Sequence, residues 1–224
     1  MSDAQHPSAP APGSRRYYTL LYTPEAHREE LNTLLAVAEE IAPVPTASAD
    51  HSVAHVRLEW WRDEAGRFAR GEPQHPWLRT LLREHPSSAR LDLLHIVDAA
   101  AMDLATRTLS ARQAHALRRA LFEEAAGALL AQPLGAALRE CIGELGASLE
   151  RLEDDPEDVE ARATLRQRLG QISAALQPAL APLLVWLALA ARSRQHAALF
   201  ESLSDNFTAW SAARRAARGR FTLQ

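Results

Sequence analysis

Thr23-Pro24-Glu25-Ala26-His27-Arg28-Glu29-Glu30-Leu31-Asn32-Thr33-Leu34-Leu35-Ala36-Val37-Ala38-Glu39-Glu40-Ile41 is the stretch that decides the fold class. Its first three residues form a helix start: a capping Thr, Pro at the first helical position and an acid in the first turn. Leu31, Leu34, Leu35, Ala38 and Ile41 then recur at helical spacing. Pro43 and Pro45 stop the helix, because proline lacks the N–H and clashes with the preceding turn.

Helical spacing continues outward from this segment. A second helix starts near Asp50 or Ser52, carries Val53, Val56, Trp60, Trp61 and Phe68, and ends at Gly71. A short helix spans Trp77 to Arg83, between two His-Pro pairs. Ser87 or Ser88 caps the next, with Leu91, Leu94, Ile96 or Val97, Met102 and Leu104 facing inward. Ser110 caps another, with Leu117, Leu121, Ala125 and Leu129 on one face, until Pro133 breaks it. Leu134–Leu152, Leu165–Ala191 and His196–Arg218 complete about eight helices, and the acidic run 153–162 reads as a solvated loop or helix start. No run alternates apolar and polar residues as a half-buried strand would.

The chain has 224 residues, of which 47% are hydrophobic and 24% charged, an ordinary globular balance. The net charge of -3 argues against a general nucleic-acid binder. All 25 basic residues are Arg, which excludes a Schiff-base lysine and a phosphate-loop lysine on this chain. Cys141 stands alone, so there is no intrachain disulfide or thiolate zinc cluster, as fits a reducing compartment. Residues 1–14, rich in Pro, Ala and Ser, read as a disordered tail. The most apolar stretch, Ala179–Ala191, is shorter than the ~20 residues a membrane span needs. It reads as a buried core helix, with a membrane-surface helix as the alternative.

Three patterns bear on chemistry. In Arg57-Leu58-Glu59-Trp60-Trp61-Arg62-Asp63-Glu64, the two adjacent Trp point about 100° apart, so one can enter the core while the other meets a groove. The segment is then either a core Trp flanked by ion pairs or an aromatic, charged wall of a ligand cleft. His51 and His55 have a chelating i,i+4 spacing, but the Glu of a metalloprotease motif is missing between them. Carboxylate pairs are the third pattern, since magnesium-dependent diphosphate chemistry on helices needs acids at i,i+4. Glu40 has Val44 four residues on, Asp98 and Asp103 are five apart, and Asp154 and Asp158 have Pro156 between them. The Arg214-Arg215 to Arg220 end suits a helix dipole, or an anionic lipid, diphosphate or acidic partner.

Several segments together resemble the squalene/phytoene synthase family. They are Tyr18–Arg28, Leu34–Ile41, Val56–Glu64 and Gly71–Pro76, supported by Ile96–Leu104, the Ala126-Gly127 helix crossing and Ala209–Phe221. The resemblance implies an all-α, isoprenoid-synthase-like bundle around a central cavity, as a single domain over residues 15–224. In active members, two Asp-rich motifs hold Mg²⁺ and the diphosphates of two prenyl substrates joined head to head. This sequence departs at those places. Only Glu39 and Glu40 remain of the first motif, Leu121 stands where a Tyr is expected, and the second region reads Leu145 to Asp158 without its arginine-aspartate pair.

Such departures resemble the non-catalytic branch, whose members act as assembly factors for respiratory complex I. The expectation is a protein with degenerate acidic motifs that binds an isoprenoid or lipid-like molecule, or a protein partner. Glu39, Glu40, Arg57, Trp60, Trp61, Asp63 and Asp103 are its cavity or ligand residues. Neither cofactor nor metal is expected, nor is nucleic acid, and the chain is placed in the cytoplasm with peripheral contact to the inner membrane left open. The rival expectation is an active, magnesium-dependent prenyl transferase with Glu40, Asp154 and Asp158 at the metal. A purely structural helical module is the third.

Overall fold

A computed structural model describes residues 6–42, 51–109, 115–191 and 201–223. Among them are ten α-helices, one 3-10 turn at Pro86–Arg90 and no strand. The helices are α1 (Arg15–Leu21), α2 (Glu25–Ile41), α3 (His51–Ala69), α4 (Pro76–Glu84), α5 (Leu93–Leu109), α6 (Ala116–Leu130), α7 (Ala136–Asp154), α8 (Val159–Gln171), α9 (Ala181–Ala190) and α10 (Glu201–Ala216). The all-helical reading of the sequence holds. Pro43, Pro45, Asp50, Ser110 and His196, used above to mark boundaries, lie outside the described residues, as do the side chains of His51 and Ser52.

Ten helices stand where about eight are predicted, for two reasons. Ser14 caps an extra first helix by accepting from Tyr17 N at 3.1 Å. The expected helix Leu165–Ala191 is two helices, separated by a turn through residues 173–180 that includes Pro178. Two expected caps also differ. The Thr23 hydroxyl donates to Thr19 O at 2.8 Å, satisfying a terminal carbonyl of α1, so it does not cap α2. Ser87 and Ser88 lie in the 3-10 turn, and Asp92 caps α5 by accepting from His95 N at 3.1 Å.

The core is one cluster drawn from every helix. Helix α9 is apolar on all sides, as a central helix must be, and packs on α1, α6, α7 and α10. Helices α6, α7 and α8 lie side by side, while α2 crosses α6 and also meets α1, α3, α4 and α5. Arg90 ties two of these layers, donating to Glu30 Oε2 at 2.8 Å and to Ala128 O at 3.2 Å.

Helices α6 and α7 approach closely where α7 carries glycine. A Cβ on Gly143 would lie 2.3 Å from Glu123 Oε1, and one on Gly146 would lie 2.6 Å from Arg118 O and 3.0 Å from Phe122 Cβ. The close crossing is therefore made by Gly143 and Gly146. Gly127, the glycine of the expected crossing, has only its own helix end within range, at 3.7 Å from Gln132 O.

Buried periodicity matches the prediction in α2 and shifts elsewhere. In α3 the inner ridge is Leu58, Trp61, Ala65 and Phe68, while Val53 and Val56, expected to belong to the apolar face, are exposed. In α5, Ile96, Val97 and Leu104 face inward as expected, but Met102 is 63% exposed and Leu94 is also outside.

Residues 6–14, the larger part of the segment expected as a disordered tail, run along α1 and α2. Pro7 is buried, His6 Nδ1 lies 2.9 Å from Glu29 Oε1, and the Ser8 carbonyl accepts from Arg16.

Two substitutions test this packing. Ala131 ends α6 in the left-handed region at φ 52, which costs an L residue about 1–2 kcal/mol. Ala131→Gly is expected to raise stability by about 0.5–1 kcal/mol once the extra freedom of glycine in the unfolded chain is counted. Gly146→Ala should lower it by about 1–3 kcal/mol, because backbone must move to admit the methyl group. Urea unfolding midpoints at constant m-value check both.

Candidate functional site

A cavity of about 650 Å³ opens between α1, α2, α6, α9 and the segment 8–14, with single contributions from α5 and α7. Its apolar wall is Leu35 and Ala38 of α2, Leu117 and Leu121 of α6, and Trp186 of α9. Helical spacing puts each pair on one side: Leu35 and Ala38 are three apart, Leu117 and Leu121 four apart. Leu121 gives this wall an apolar face where the resemblance leads one to expect a phenol.

Charged groups line the rest of the cavity. Arg15, Arg16 and Arg118 line the cavity together with Glu39, Asp103 and Glu150. Arg16 donates to Glu39 Oε2 at 2.9 Å and to Asn32 Oδ1 at 2.7 Å. Arg15 and Arg118 share Glu153, at 2.6 and 3.4 Å. Arg118 also stacks over Trp186, 4.8 Å from the ring centroid, which holds a cation against the apolar wall. The Trp186 indole N–H is buried without a hydrogen-bond partner among the described residues, and Glu150 Oε2 lies 3.5 Å from His115 Nδ1.

Asp103 is buried at the end of the cavity and is already committed. Its Oδ1 accepts from Ala116 N at 2.8 Å and its Oδ2 from Leu117 N at 2.9 Å, so the carboxylate closes the N-terminus of α6. A negative charge there also faces the positive end of the helix dipole.

The other sequence-derived candidates divide between this cavity and a second locus. Glu39 is at the cavity, but Glu40, one position on, points to another neighbour and sits 3.6 Å from His75 Nε2. His75 packs among aromatic rings, with centroids 6.1 Å from Trp60, 5.1 Å from Trp61 and 4.9 Å from Trp77. Burial pushes the His75 pKa down, against the opposing pull of Glu40 and Glu64. Trp61 is 2% exposed and Trp60 43%, so the adjacent pair divides between core and surface as its geometry demands. Glu64, fully buried, accepts from the backbone N–H groups of Gln74 and His75 at 2.8 and 2.7 Å and from Arg67 at 2.7 Å. Arg57 donates to Ala42 O at 2.9 Å, closing the end of α2, and Asp63 is exposed. None of Arg57, Trp60, Trp61 and Asp63 lines the cavity.

Asp154 and Asp158 also lie away from the cavity lining. Asp154 is exposed at the end of α7, and Asp158 caps α8 through Ala161 N at 2.8 Å while pairing with Arg151 at 3.0 Å. Glu40, Asp154 and Asp158 are thus not brought together. Among the described residues no three His, Cys, Asp or Glu side chains are gathered as a metal site requires. The described donor set does not fit the paired magnesium ions of an active family member: at the cavity, Asp103 caps a helix, Glu39 is bound to Arg16, and Glu150 is left as a single carboxylate.

Arg15, Arg16, Arg118 and Trp186 were not legible as site residues. Arg15-Arg16 sits beside the segment that carries the family resemblance, which was the available signal. Trp186 lies in a run whose apolar character points to core, and it is both core and wall.

Behind α6 a partly exposed charge network surrounds the buried Glu123. Glu123 Oε2 is 3.2 Å from both His95 Nε2 and Arg139 Nη1, and Arg119 reaches Glu123, Glu140 and Glu144. The hydrogen bond to Glu123 raises the His95 pKa above its ordinary 6.5. Folding thus favours protonated His95, and this contribution is fully present below pH 6.5 and fades as pH rises through the folded value. His95→Ala should cost about 1 kcal/mol at pH 5.5, a figure reduced for the partial exposure of the ring, and less at pH 8.5. Denaturant midpoints at the two pH values check the sign.

The fold and site define an all-helical protein, as far as its residues are described, with a cavity that joins an apolar wall to a charged one. The squalene/phytoene synthase family model matches residues 9–116, just under half of the chain, and that part of the chain is similar to the family. The match runs from the segment before α1 to the first residue of α6, so it includes the α2 wall of the cavity and stops before most of the α6 and α9 walls. No curated protein and no solved structure gives a significant match to the chain.

Proposed function

We propose that this squalene/phytoene synthase-family protein is non-catalytic and uses its cavity to bind an isoprenoid-like lipid. One observation carries the reading: two of the three acids at the cavity, Asp103 and Glu39, are already engaged. Both Asp103 oxygens accept from the backbone of α6, and Glu39 is held by Arg16. Prenyl diphosphate coupling needs metal ions to neutralise the leaving diphosphate, and the remaining acid, Glu150, is one carboxylate where paired ions need several. The apolar wall of Leu35, Leu117, Leu121 and Trp186 suits a hydrocarbon chain, and the arginines and acids that line the rest of the cavity suit its polar end. No described helix is long and apolar enough to cross a membrane. An assembly-factor role, which the resemblance implies, adds a protein partner to the same scaffold.

Purified protein incubated with Mg²⁺ and farnesyl or geranylgeranyl diphosphate is expected to release no diphosphate above a blank. Farnesol should quench tryptophan emission saturably, and Trp186→Phe should remove most of that quenching. Multiple turnover would establish the rival reading, an active prenyl transferase. Absence of quenching in the wild type would leave the cavity without its proposed ligand.

A further inference from the structure

We propose that the outer face of α10, with the turn that follows it, docks on the surface of an anionic phospholipid bilayer. Phe207, Trp210 and Arg214 follow one another at i, i+3 and i+7, so they form a single outward ridge. Phe207 is 67% and Trp210 46% exposed, their rings 6.0 Å apart, and Arg214 lies 5.1 Å over the Trp210 ring. The opposite face is fixed: Ala209, Ala212 and Ala216 are fully buried, small enough to let α10 lie close on α9.

The charge on this ridge has one sign. Arg214, Arg218 and Arg220 are exposed, and none of them forms an ion pair among the described residues. Asp205 is the only acid among the described side chains of α10, and it acts on Tyr18 of α1 on the inner side. The turn presenting Arg218 and Arg220 is rigid. Arg220 N donates to Arg215 O at 2.9 Å and Gly219 N to Ala216 O at 2.9 Å, the double bond of a glycine-terminated helix end. Gly219 has φ +63, and a Cβ there would lie 2.7 Å from Ala174 O. Phe221 is then buried, its N–H donating to Gln177 Oε1 at 2.8 Å.

Exposed Phe and Trp beside guanidinium groups, on a ridge and not in a groove, suit an interface that takes rings to headgroup depth and attracts cations. The other exposed apolar face offers a contrast. Val53, Val56 and Trp60 of α3 are accompanied by exposed Asp63 and by Glu59 and Asp98, which share the single Arg62, so acids outnumber arginine in this cluster and an anionic surface is not favoured there.

The test is co-sedimentation of the full chain with vesicles of phosphatidylcholine alone, or of phosphatidylcholine mixed with phosphatidylglycerol. Binding to the mixed vesicles only, weakened by salt, is expected, with a blue shift of emission that Trp210→Phe removes. The triple variant R214Q/R218Q/R220Q should lose about tenfold or more in affinity. F207S/W210S should bind weakly, and V53S/V56S should bind as the wild type does. All these side chains are exposed, and matched circular dichroism confirms that each variant is folded. Failure to bind the mixed vesicles, equal binding to both kinds, or a loss in V53S/V56S instead would overturn the proposal. So would retention on polyglutamate without vesicle binding, which would assign the ridge to an acidic protein surface.

Discussion

Everything around the cavity depends on how closely α7 can lie against α6. Gly143 and Gly146 are three residues apart, so both face the same neighbour, and at each of them a methyl group would collide with α6. The contact fixes α6 at the level where Arg118 and Leu121 reach the cavity and Glu123 enters its charge network. Close packing of this kind leaves no slack to absorb a shift, so an error on one side of α6 would be passed to the other. The network of Glu123, Arg119, Arg139 and His95 closes the same interface with ionic contacts where glycine leaves room.

Much of the fold was readable because helices leave a periodic record. Leu31, Leu34, Leu35, Ala38 and Ile41 are all buried, as their spacing requires. The phase was harder to read than the period. In α3, Val53, Val56 and Trp60 have the same spacing as an inner ridge, yet Leu58, Trp61, Ala65 and Phe68 occupy it. Hydrophobicity cannot choose between two apolar ridges on one helix, and the choice is made by what packs against it, here α5 and α2. The turn through residues 173–180 splits a segment read as one helix, and Gly170 and Pro178 within that segment are the turn signals that mark the break.

The site was legible in kind but only partly in place. Glu39 and Asp103 are at the cavity, and Trp60 and Trp61 do divide between surface and core. Glu40, Arg57, Trp60 and Trp61 instead surround or adjoin the His75 cluster and the end of α2. One turn of α2 thus sends neighbouring glutamates to different surroundings, which a linear motif cannot express. The arginines at the cavity were missed because chains rich in arginine offer many solvated candidates. Contact with an aromatic ring, as between Arg118 and Trp186, becomes visible only once helices are placed.

Asp103 has a further consequence for the hollow it borders. Its carboxylate absorbs the positive pole of α6, so this end of the cavity is electrically quiet. Were that single charge lost, two bare amides would turn the wall into an attractive pole beside Arg118. The polarity at this end of the chamber is therefore set by a residue whose visible task is to terminate a helix.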